Sequence, residues 1–575
     1  MTAFVRHHPP VEGDRLDSWK EIAEHVGRSV RTVRRWEVEE GMPVHRHMHR
    51  SAGTVYAYRS EIDAWMRRHE ASGATEPSSD REPSPASVSP PALTSTPTAR
   101  DRRERSVAVL PFAYVGPDAG SAYLADGFTD EIIGELSKVR SLRVLSRTSS
   151  MILKGTQKDA RALGRDLGVG HLLEGTVRHH RDQVRVSIRL LDPEADDRLW
   201  AESFEGRLDD VFAIQEAIAR KTVDALQVHL SDDESRRLGE RAVENVVAWQ
   251  YLLQARQAAL RWRKDSIDHA VQLLRGAIEL AGDSPALLVA LGRAHLHYRE
   301  SGVDLSDGPL REAKALAHAV LSRDPSSGVG RQLQGWIRYA EGDIQGAVVE
   351  LRAAVEVDRT DPDSLSLLAN CLLISGQSEA SAGIIERLLA VDPLTPLSRC
   401  LPGYRAALDG DFERAVGPYR EMFELDQGNP MGRLFYAFTL ANAGRADEAR
   451  AIADVPSADR MGPAGEILGV LRASLAPVEE RPPADPDAPP WRLSPMTEGA
   501  ASAIEMFARF LAEAYARAGL ADVALGWLEV AVSRGFTAFP YLRRNAPALR
   551  RLDGHPRFEA MLQDVERRWR AFAPG

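Results

Sequence analysis

The apolar positions change their period along the chain, and those changes divide it. Over residues 18–36, SWKEIAEHVGRSVRTVRRW, Trp19, Ile22, Ala23 and Val26 fall at helical spacing behind Ser18, a residue suited to cap a helix. Gly27 stands where a tight turn needs a permissive backbone, and Val30, Val33 and Trp36 resume at i, i+3 and i+6. Two short helices meeting at a corner are predicted, with small Ala23 letting them cross closely. Residues 43–50 and 54–59 read as two strands around Ser51-Ala52-Gly53, a β-hairpin, and Ser60 caps a last short helix whose Ile62, Trp65 and Met66 close a core with Trp19 and Trp36. The period then vanishes: residues 71–105 hold six prolines, seven serines and four threonines, the composition of a disordered linker.

Beyond the linker, residues 106–112 (SVAVLPF) predict a buried strand and 122–139 a helix with Leu124, Phe128, Ile132, Ile133 and Leu136 inward. A strand at 142–146, a helix at 159–167, strands at 171–177, 183–192 and 197–204, and a helix at 211–230 complete an α/β alternation. From 240 onward the chain is alanine-rich and helical, interrupted by seven prolines over 476–497.

The outer face of the second helix in the first region carries Arg31, Thr32, Arg34 and Arg35, with Arg28 and Ser29 ahead of it. The chain holds 66 arginines and only seven lysines, so arginine is common everywhere, but four of the eight residues from 28 to 35 are arginine and no acid interrupts them. Guanidinium forks suit guanine edges and phosphates alike. The stretch LDSWKEIAEHVGRSVRTVRRWEVEEGMPVHRHMHRSAGTVYAYRSEIDAWM resembles the winged helix-turn-helix of MerR and excisionase-type proteins over residues 16–66. That resemblance implies major-groove reading of double-stranded DNA by the second helix, with the hairpin as a wing. The residues it assigns to DNA are Arg28, Ser29, Arg31, Thr32, Arg34 and Arg35, then Arg46 and Arg50 on the wing. His45, His47 and His49 share one face of a strand, but no cysteine or further ligand converges on them, so they read as facing phosphate or solvent rather than a metal.

The phrases SVAVLPF, YLADGFTDEIIGELSKVRSLRVLSRTSS, DLGVGHLLEGTVR and LWAESFEGRLDDVFAIQEAIA resemble the TolB-like amino-terminal domain, which implies a sensing or interaction module without catalysis. Asp126, Asp130 and Glu131 gather carboxylates that could bind a metal, but they sit at what reads as a helix start, where acids serve as caps, and capping is the reading taken. Lys154-Gly155-Thr156 lacks the spacing of a phosphate loop, and neither G-x-S-x-G nor H-E-x-x-H occurs. No enzyme and no cofactor is therefore expected.

Residues 245–454 repeat at roughly 34 to 40 residues. One unit reads Gly335, Tyr339, Gly342-Asp343, Ala347, Leu351 and Ala354; others run through Ala369, Gly376 and Asp392-Pro393, through Gly403, Gly410-Asp411 and Tyr419, and through Gly432, Gly444 and Ala449. Small residues let paired helices pack closely, glycine turns the corner and Asp-Pro ends the second helix. The pattern resembles the tetratricopeptide repeat (TPR), with about seven copies, which implies a superhelix with a groove for protein partners. FPYLRRNAPALRRLDGHPRFEAML resembles a tail capping such an array.

The sequence is thus read as a multidomain α and α/β chain. Its parts are a winged helix-turn-helix (14–70), a linker (71–105), an α/β TolB-like domain (106–235), TPR-like repeats (240–454), a proline-rich interruption (455–499), and a final repeat with its tail (500–570). Net charge sharpens this. The chain carries −10 overall, but residues 1–105 hold 17 basic and 16 acidic groups, so the acidity lies in the later regions. Two cysteines, Cys371 and Cys400, exclude a disulfide scaffold and suit a reducing cytoplasm. No run of about 18 apolar residues predicts a membrane helix, and residues 1–11 have no apolar core of a secretory signal. The expected function is a cytoplasmic DNA-binding transcriptional regulator with sensing and protein-interaction modules. A homodimer is expected, because one winged helix makes few contacts. The alternative is a TPR adaptor whose DNA-binding role is minor.

Overall fold

The computed structural model describes residues 15–66, with gaps at 17, 27, 29, 40–41, 50–51, 60 and 64, and residues 103–573, with gaps at 104, 117–118, 157, 196, 260–262, 426, 455–461 and 478–490. Its contacts form two compact units, Met1–Ser95 and Thr96–Gly575.

In the first unit, β1 (Arg15–Leu16) precedes α1 (Trp19–Val26) and α2 (Val30–Glu39), and β2 (His45–His49) and β3 (Ala52–Tyr58) form the hairpin. The sheet is antiparallel in the order β1-β3-β2. Ser18 caps α1 as expected: the Glu21 backbone N–H donates to its Oγ at 3.2 Å. Gly27 and Ser60 lie outside the described residues. Leu16, Ile22, Val33, Ala57 and Ile62 are sealed from solvent, and the rings of Trp36 and Trp65 meet at 5.6 Å. Complete burial of each large aliphatic side chain contributes about 1.5–3 kcal/mol, and in so small a unit these few set its stability.

The second unit opens with a mixed sheet in the order β6-β4-β7-β8-β9, with β5 beside β7. The strands are β4 (Ser106–Val109), β5 (Ala113–Tyr114), β6 (Arg143–Val144), β7 (His171–His180), β8 (Gln183–Asp192) and β9 (Asp197–Arg207). β4 runs parallel to β6 and β7 and is buried throughout, as a strand covered on both faces must be. β8 hides Val184, Val186, Ile188 and Leu190 and exposes Gln183, Arg185 and Arg189, as a strand with one solvated face does. Its buried side chains join one core with α3 (Tyr123–Ser137) and α6 (Val211–Ala225). Three short helices, α4 (Arg147–Ile152), α5 (Ala160–Asp166) and α7 (Asp232–Arg237), complete the module. The expected strand over 106–112 stops early because the Phe112 N–H turns to Thr129 Oγ1 at 3.0 Å. The helix expected to reach 230 ends at Ala225, just before Gln227 with φ of 53°.

The remainder is helical. Six antiparallel pairs follow in order: α8 (Val246–Ala259) with α9 (Lys264–Ala281), α10 (Pro285–Glu300) with α11 (Asp307–Arg323), α12 (Gly328–Glu341) with α13 (Ile344–Val357), α14 (Pro362–Ile374) with α15 (Ser378–Val391), α16 (Pro396–Leu408) with α17 (Phe412–Leu425), and α18 (Pro430–Asn442) with α19 (Ala446–Ala453). After α20 (Gly462–Ser474) and α21 (Pro495–Ala503), a seventh pair, α22 (Glu505–Ala518) with α23 (Ala521–Ser533), precedes the terminal α24 (Pro556–Ala571). Small residues bring the helices of a pair together: a Cβ on Gly335 would sit 2.6 Å from the Leu351 Cγ. Left-handed glycines turn the corners at 342, 376, 410 and 444, a constant interval of 34 residues.

The α/β module docks on the array at two places. On the first pair, Trp249 Nε1 donates to Glu131 Oε1 at 2.9 Å, Arg256 meets Asp130 at 2.6 Å and Gln257 donates to Asp126 at 3.1 Å. Gly127 permits this approach, since a Cβ there would lie 2.2 Å from Leu253 Cδ1. The acids expected to cap a helix are used differently. α3 starts at Tyr123 with no side-chain cap, and Asp126, Asp130 and Glu131 reach α8, Lys154 and Arg147. Burial, and then the neighbouring Asp130, hold the Glu131 carboxyl above its ordinary pKa.

The second dock lies far along the array. Asp392, buried at the end of α15, accepts from the Ser146, Ser149, Thr395 and Ser398 hydroxyls. The Ser146 N–H donates to the Val391 carbonyl at 2.7 Å, and Arg143 Nη1 to that of Ala390 at 2.7 Å.

Candidate nucleic-acid interface and partner groove

The candidate DNA-reading surface rests on α2, which packs on α1 through Val33 against Ile22 and Ala23, with Val30 and Trp36 partly buried against the same core. That packing fixes which side of α2 is spent on the core. Arg28 is exposed, and its N–H closes the end of α1 onto the Ala23 carbonyl at 3.0 Å. Thr32 is half-buried on α2. Arg31, Arg34 and Arg35 belong to the same helix, and Arg46 lies in β2 opposite Val55; the side chains of these four are outside the described residues. Ser29 and Arg50 lie outside them altogether.

Several contacts here had no signal in the pattern. The hairpin and the last helical residues are tied by His45 Nε2 to Glu61 Oε2 at 2.6 Å, and His25 Nε2 meets Asp63 Oδ1 at 2.8 Å. The His45 ring also stacks on Tyr56 at 5.2 Å, and the Arg15 guanidinium lies 4.2 Å from the same tyrosine ring. His45, first of the three alternating histidines, is thus engaged by a carboxylate and a ring. Among the described residues, no three His, Cys, Asp or Glu side chains gather as a metal site; the His47 and His49 side chains are outside that set.

The seventh helix pair packs back on the fifth and sixth. Phe510 of α22 packs on Phe438 at 4.3 Å and on Phe435 at 5.4 Å, both on α18, and the Arg509 guanidinium faces Tyr404 of α16 at 5.7 Å. Asn442 Nδ2 donates to Glu513 Oε2 at 3.0 Å, Arg509 pairs with Glu513 Oε1 at 2.7 Å, and the Tyr541 hydroxyl donates to the same oxygen at 2.7 Å. Arg509 and Glu513 are both buried, which ties them to these partners. Glu505 is buried too, and burial pushes its carboxyl up to about 7.

The segment read as a capping tail, together with the residues on either side of it, lies against the middle of the array. The Thr537 N–H donates to the Ile374 carbonyl at 2.8 Å, Trp569 Nε1 to that of Gly376 at 3.3 Å and Asn545 Nδ2 to that of Leu408 at 2.9 Å. Its Phe536, Tyr541, Leu549 and Phe558 join the core of the third to sixth pairs, which is the physical reason it lies there. Cys371 and Cys400 are buried, and burial lifts the Cys400 thiol to about 12.

Against this geometry, residues 103–221 match the HilA/YgeH-like transcriptional regulator, second domain. The match falls on the α/β module, the stretch with the TolB-like phrases. A putative adenylate cyclase 3 of Rhizobium meliloti (strain 1021) is 36% identical over 191 residues, covering 33% of this chain and 32% of that protein. The chain therefore spans about a third of that relative's length. Among solved structures, a thermophilic TPR protein of Thermus thermophilus is 17% identical with a TM-score of 0.28, covering 33% of this chain and 99% of its own. A TPR protein of Parabacteroides merdae ATCC 43184 is 13% identical with a TM-score of 0.30, covering 49% and 99%. Both scores lie below one half, so the repeat architecture rests on the helix pairing itself. No helix among the described residues is long and apolar enough to cross a membrane.

Proposed function

We propose that the chain is a DNA-binding transcriptional regulator. In this reading, α2 of a MerR-like winged unit enters the major groove, the β2–β3 hairpin rests on the backbone, and the TolB-like module and TPR-like repeats receive a signal or a protein partner. The observation that carries it is the joint occurrence of a two-helix corner with a hairpin and an uninterrupted arginine series, Arg28, Arg31, Arg34 and Arg35, on and before its second helix. The regulator-type match over 103–221 supports it from a separate part of the chain. The unit's near-neutral balance predicts weak binding alone, so we read the working form as a homodimer in the cytoplasm. The likeness to the Rhizobium meliloti protein covers too little of that protein to carry its named activity here, and we read this chain as non-catalytic and without a cofactor.

Fluorescence anisotropy with fragments from upstream of neighbouring genes tests the reading. Replacing Arg31, Arg34 and Arg35 together by alanine is expected to weaken binding by about tenfold or more per base-contacting arginine, and to flatten the salt dependence by about one logarithmic unit for each phosphate no longer bound. Binding that survives the triple replacement unchanged removes α2 as the reading helix. The adaptor reading predicts instead a stable protein complex from the full chain with no DNA retained at physiological salt.

A further inference from the structure

The sheet of the α/β module ends differently on its two sides. At β6 the edge is covered by the array: the Ser146 N–H donates to the Val391 carbonyl and Arg143 Nη1 to that of Ala390, both at 2.7 Å. At β9 the strand order stops, and no strand among the described residues pairs with its outer side. β9 runs for 11 residues without a proline, whereas edge strands are commonly kept short or blunted by one.

The ladder shows which groups are left open. Along an antiparallel strand, successive residues turn their N–H and C=O alternately to one neighbour and to the other. The Leu208 N–H, just past β9, donates inward to the Asp182 carbonyl at 2.7 Å, while the Arg207 N–H turns to Asp210 Oδ2 at 2.9 Å. Counting back by twos in the β8 register, Trp200, Glu202 and Phe204 bond to β8, and Ala201, Ser203 and Glu205 present their backbone groups outward. The side chains of Trp200, Glu202 and Phe204 are half-buried on the α6 side, where Lys221 binds Glu202 and lies 5.6 Å from the Phe204 ring. Those of Ala201, Ser203 and Glu205 are exposed.

The strand's own sequence fits a second copy of itself. Asp197–Arg207, DRLWAESFEGR, is close to self-complementary about Glu202. Laid antiparallel with a twofold axis at Glu202, two copies set Trp200 opposite the second copy's Phe204, twice, and Ala201 opposite its Ser203. Aromatic pairs facing across strands stabilise a sheet. The Asp197 end of each strand comes toward the Arg207 end of the other. The two Glu202 carboxylates meet at the axis, but each arrives with Lys221 already bound to it. The linker is a poor occupant of this edge, since six prolines fall within residues 71–105 and each lacks the N–H a ladder needs.

We propose that β9 is the dimer surface of this protein, two copies joining edge to edge and antiparallel about Glu202 to make one continuous sheet. The inference rests on the reading of the working form as a homodimer and gives that dimer its surface.

Sedimentation equilibrium of the full-length protein over a dilution series tests it, and the parent is expected to dimerise. Ala201→Pro removes an outward N–H that serves no strand of its own copy, so dimerisation should weaken about tenfold or more while circular dichroism and Tm stay as in the parent. Glu202→Cys puts two thiols in a non-hydrogen-bonded pair, where Cα atoms stand about 4.5 Å apart, and mild oxidation should link the copies. Ala201→Cys, off the axis, should link far less, and the native Cys371 and Cys400 are buried. Should Ala201→Pro lose its fold, the cysteine variants decide. A parent that stays monomeric overturns the inference and the homodimer reading together. A parent that dimerises overturns the β9 surface alone if folded Ala201→Pro dimerises as tightly, or if Glu202→Cys links no better than Ala201→Cys. A β9 dimer that retains no DNA overturns the proposed function and leaves this surface standing.

Discussion

The turns at Gly342, Gly376 and Gly410 and the turn at Gly444 share a sequence position and a backbone, with φ between 72 and 89°. Their surroundings differ. The carboxy-terminal segment lies along the first three in order: a Cβ on Gly342 would sit 3.1 Å from the Ser533 carbonyl oxygen, one on Gly376 3.0 Å from Trp569 and 3.1 Å from Ala538, and one on Gly410 3.1 Å from Asn545. A Cβ on Gly444 would meet nothing within 4 Å among the described residues. The need for glycine is local and identical at all four, but what covers the turn is decided by residues up to 193 positions away. A repeat ladder therefore offers equivalent sites, and the tail's own apolar residues choose among them.

The largest expected effect strikes what holds the covering segment down. Arg509→Ala leaves Glu513 buried without its cation, at a cost of about 3–5 kcal/mol. Hydrogen exchange should then rise at amides beside Gly342, Gly376 and Gly410 and stay as in the parent beside Gly444; uniform change at all four would erase the distinction.

Next in size is the pH response of Glu505. Its folded-state pKa of about 7 lies above the 4.5 of a free glutamate, so protonation favours the fold. That contribution is complete below pH 4.5 and is lost as pH rises through about 7, by about 3 kcal/mol at most. His297, held down to about 4, opposes it, losing its contribution as pH falls from 6.5 through about 4. In Glu505→Gln, the loss of Tm as pH rises from 4.5 through about 7 should be smaller than in the parent.

Substituting the turns themselves tests the comparison directly. Gly444→Ala meets only the left-handed penalty of about 1–2 kcal/mol, whereas Gly376→Ala adds crowding against Trp569 and Ala538 worth about 1–3 kcal/mol more. Equal losses of Tm would mean the segment is not seated at Gly376. The smallest effect belongs to Asn545→Ala, which removes one donor from the Leu408 carbonyl and should cost about 1 kcal/mol.

What the pattern of residues revealed was local. Ser18 as a cap, Ile22 and Val33 as core, and the turn glycines each follow from neighbours within a few positions. β1 was not legible, since Arg15 and Leu16 are too few to show a period, and α4 was hidden because RTSSMI carries no apolar stripe. Asp392-Pro393 was readable as a helix terminator. Its second role, accepting from Ser146 and Ser149, joins residues 246 and 243 positions apart and left no trace in either stretch. Of the candidate DNA residues, the arginine spacing placed Arg31, Arg34 and Arg35 on one helix, which α2 matches at the level of the backbone.

That link through Asp392 has a mechanical consequence. Stacked helix pairs held only by their neighbours behave as a spring, able to stretch and change pitch at little cost. Here the α/β module is riveted to the first pair and again to the end of the fourth, so the turns between are a closed loop under fixed span. Pulling on the chain would load the hydroxyls around one carboxylate before it could extend the coil. A disturbance inside the module would likewise be felt at both rivets at once, as a strut transmits force to its two ends.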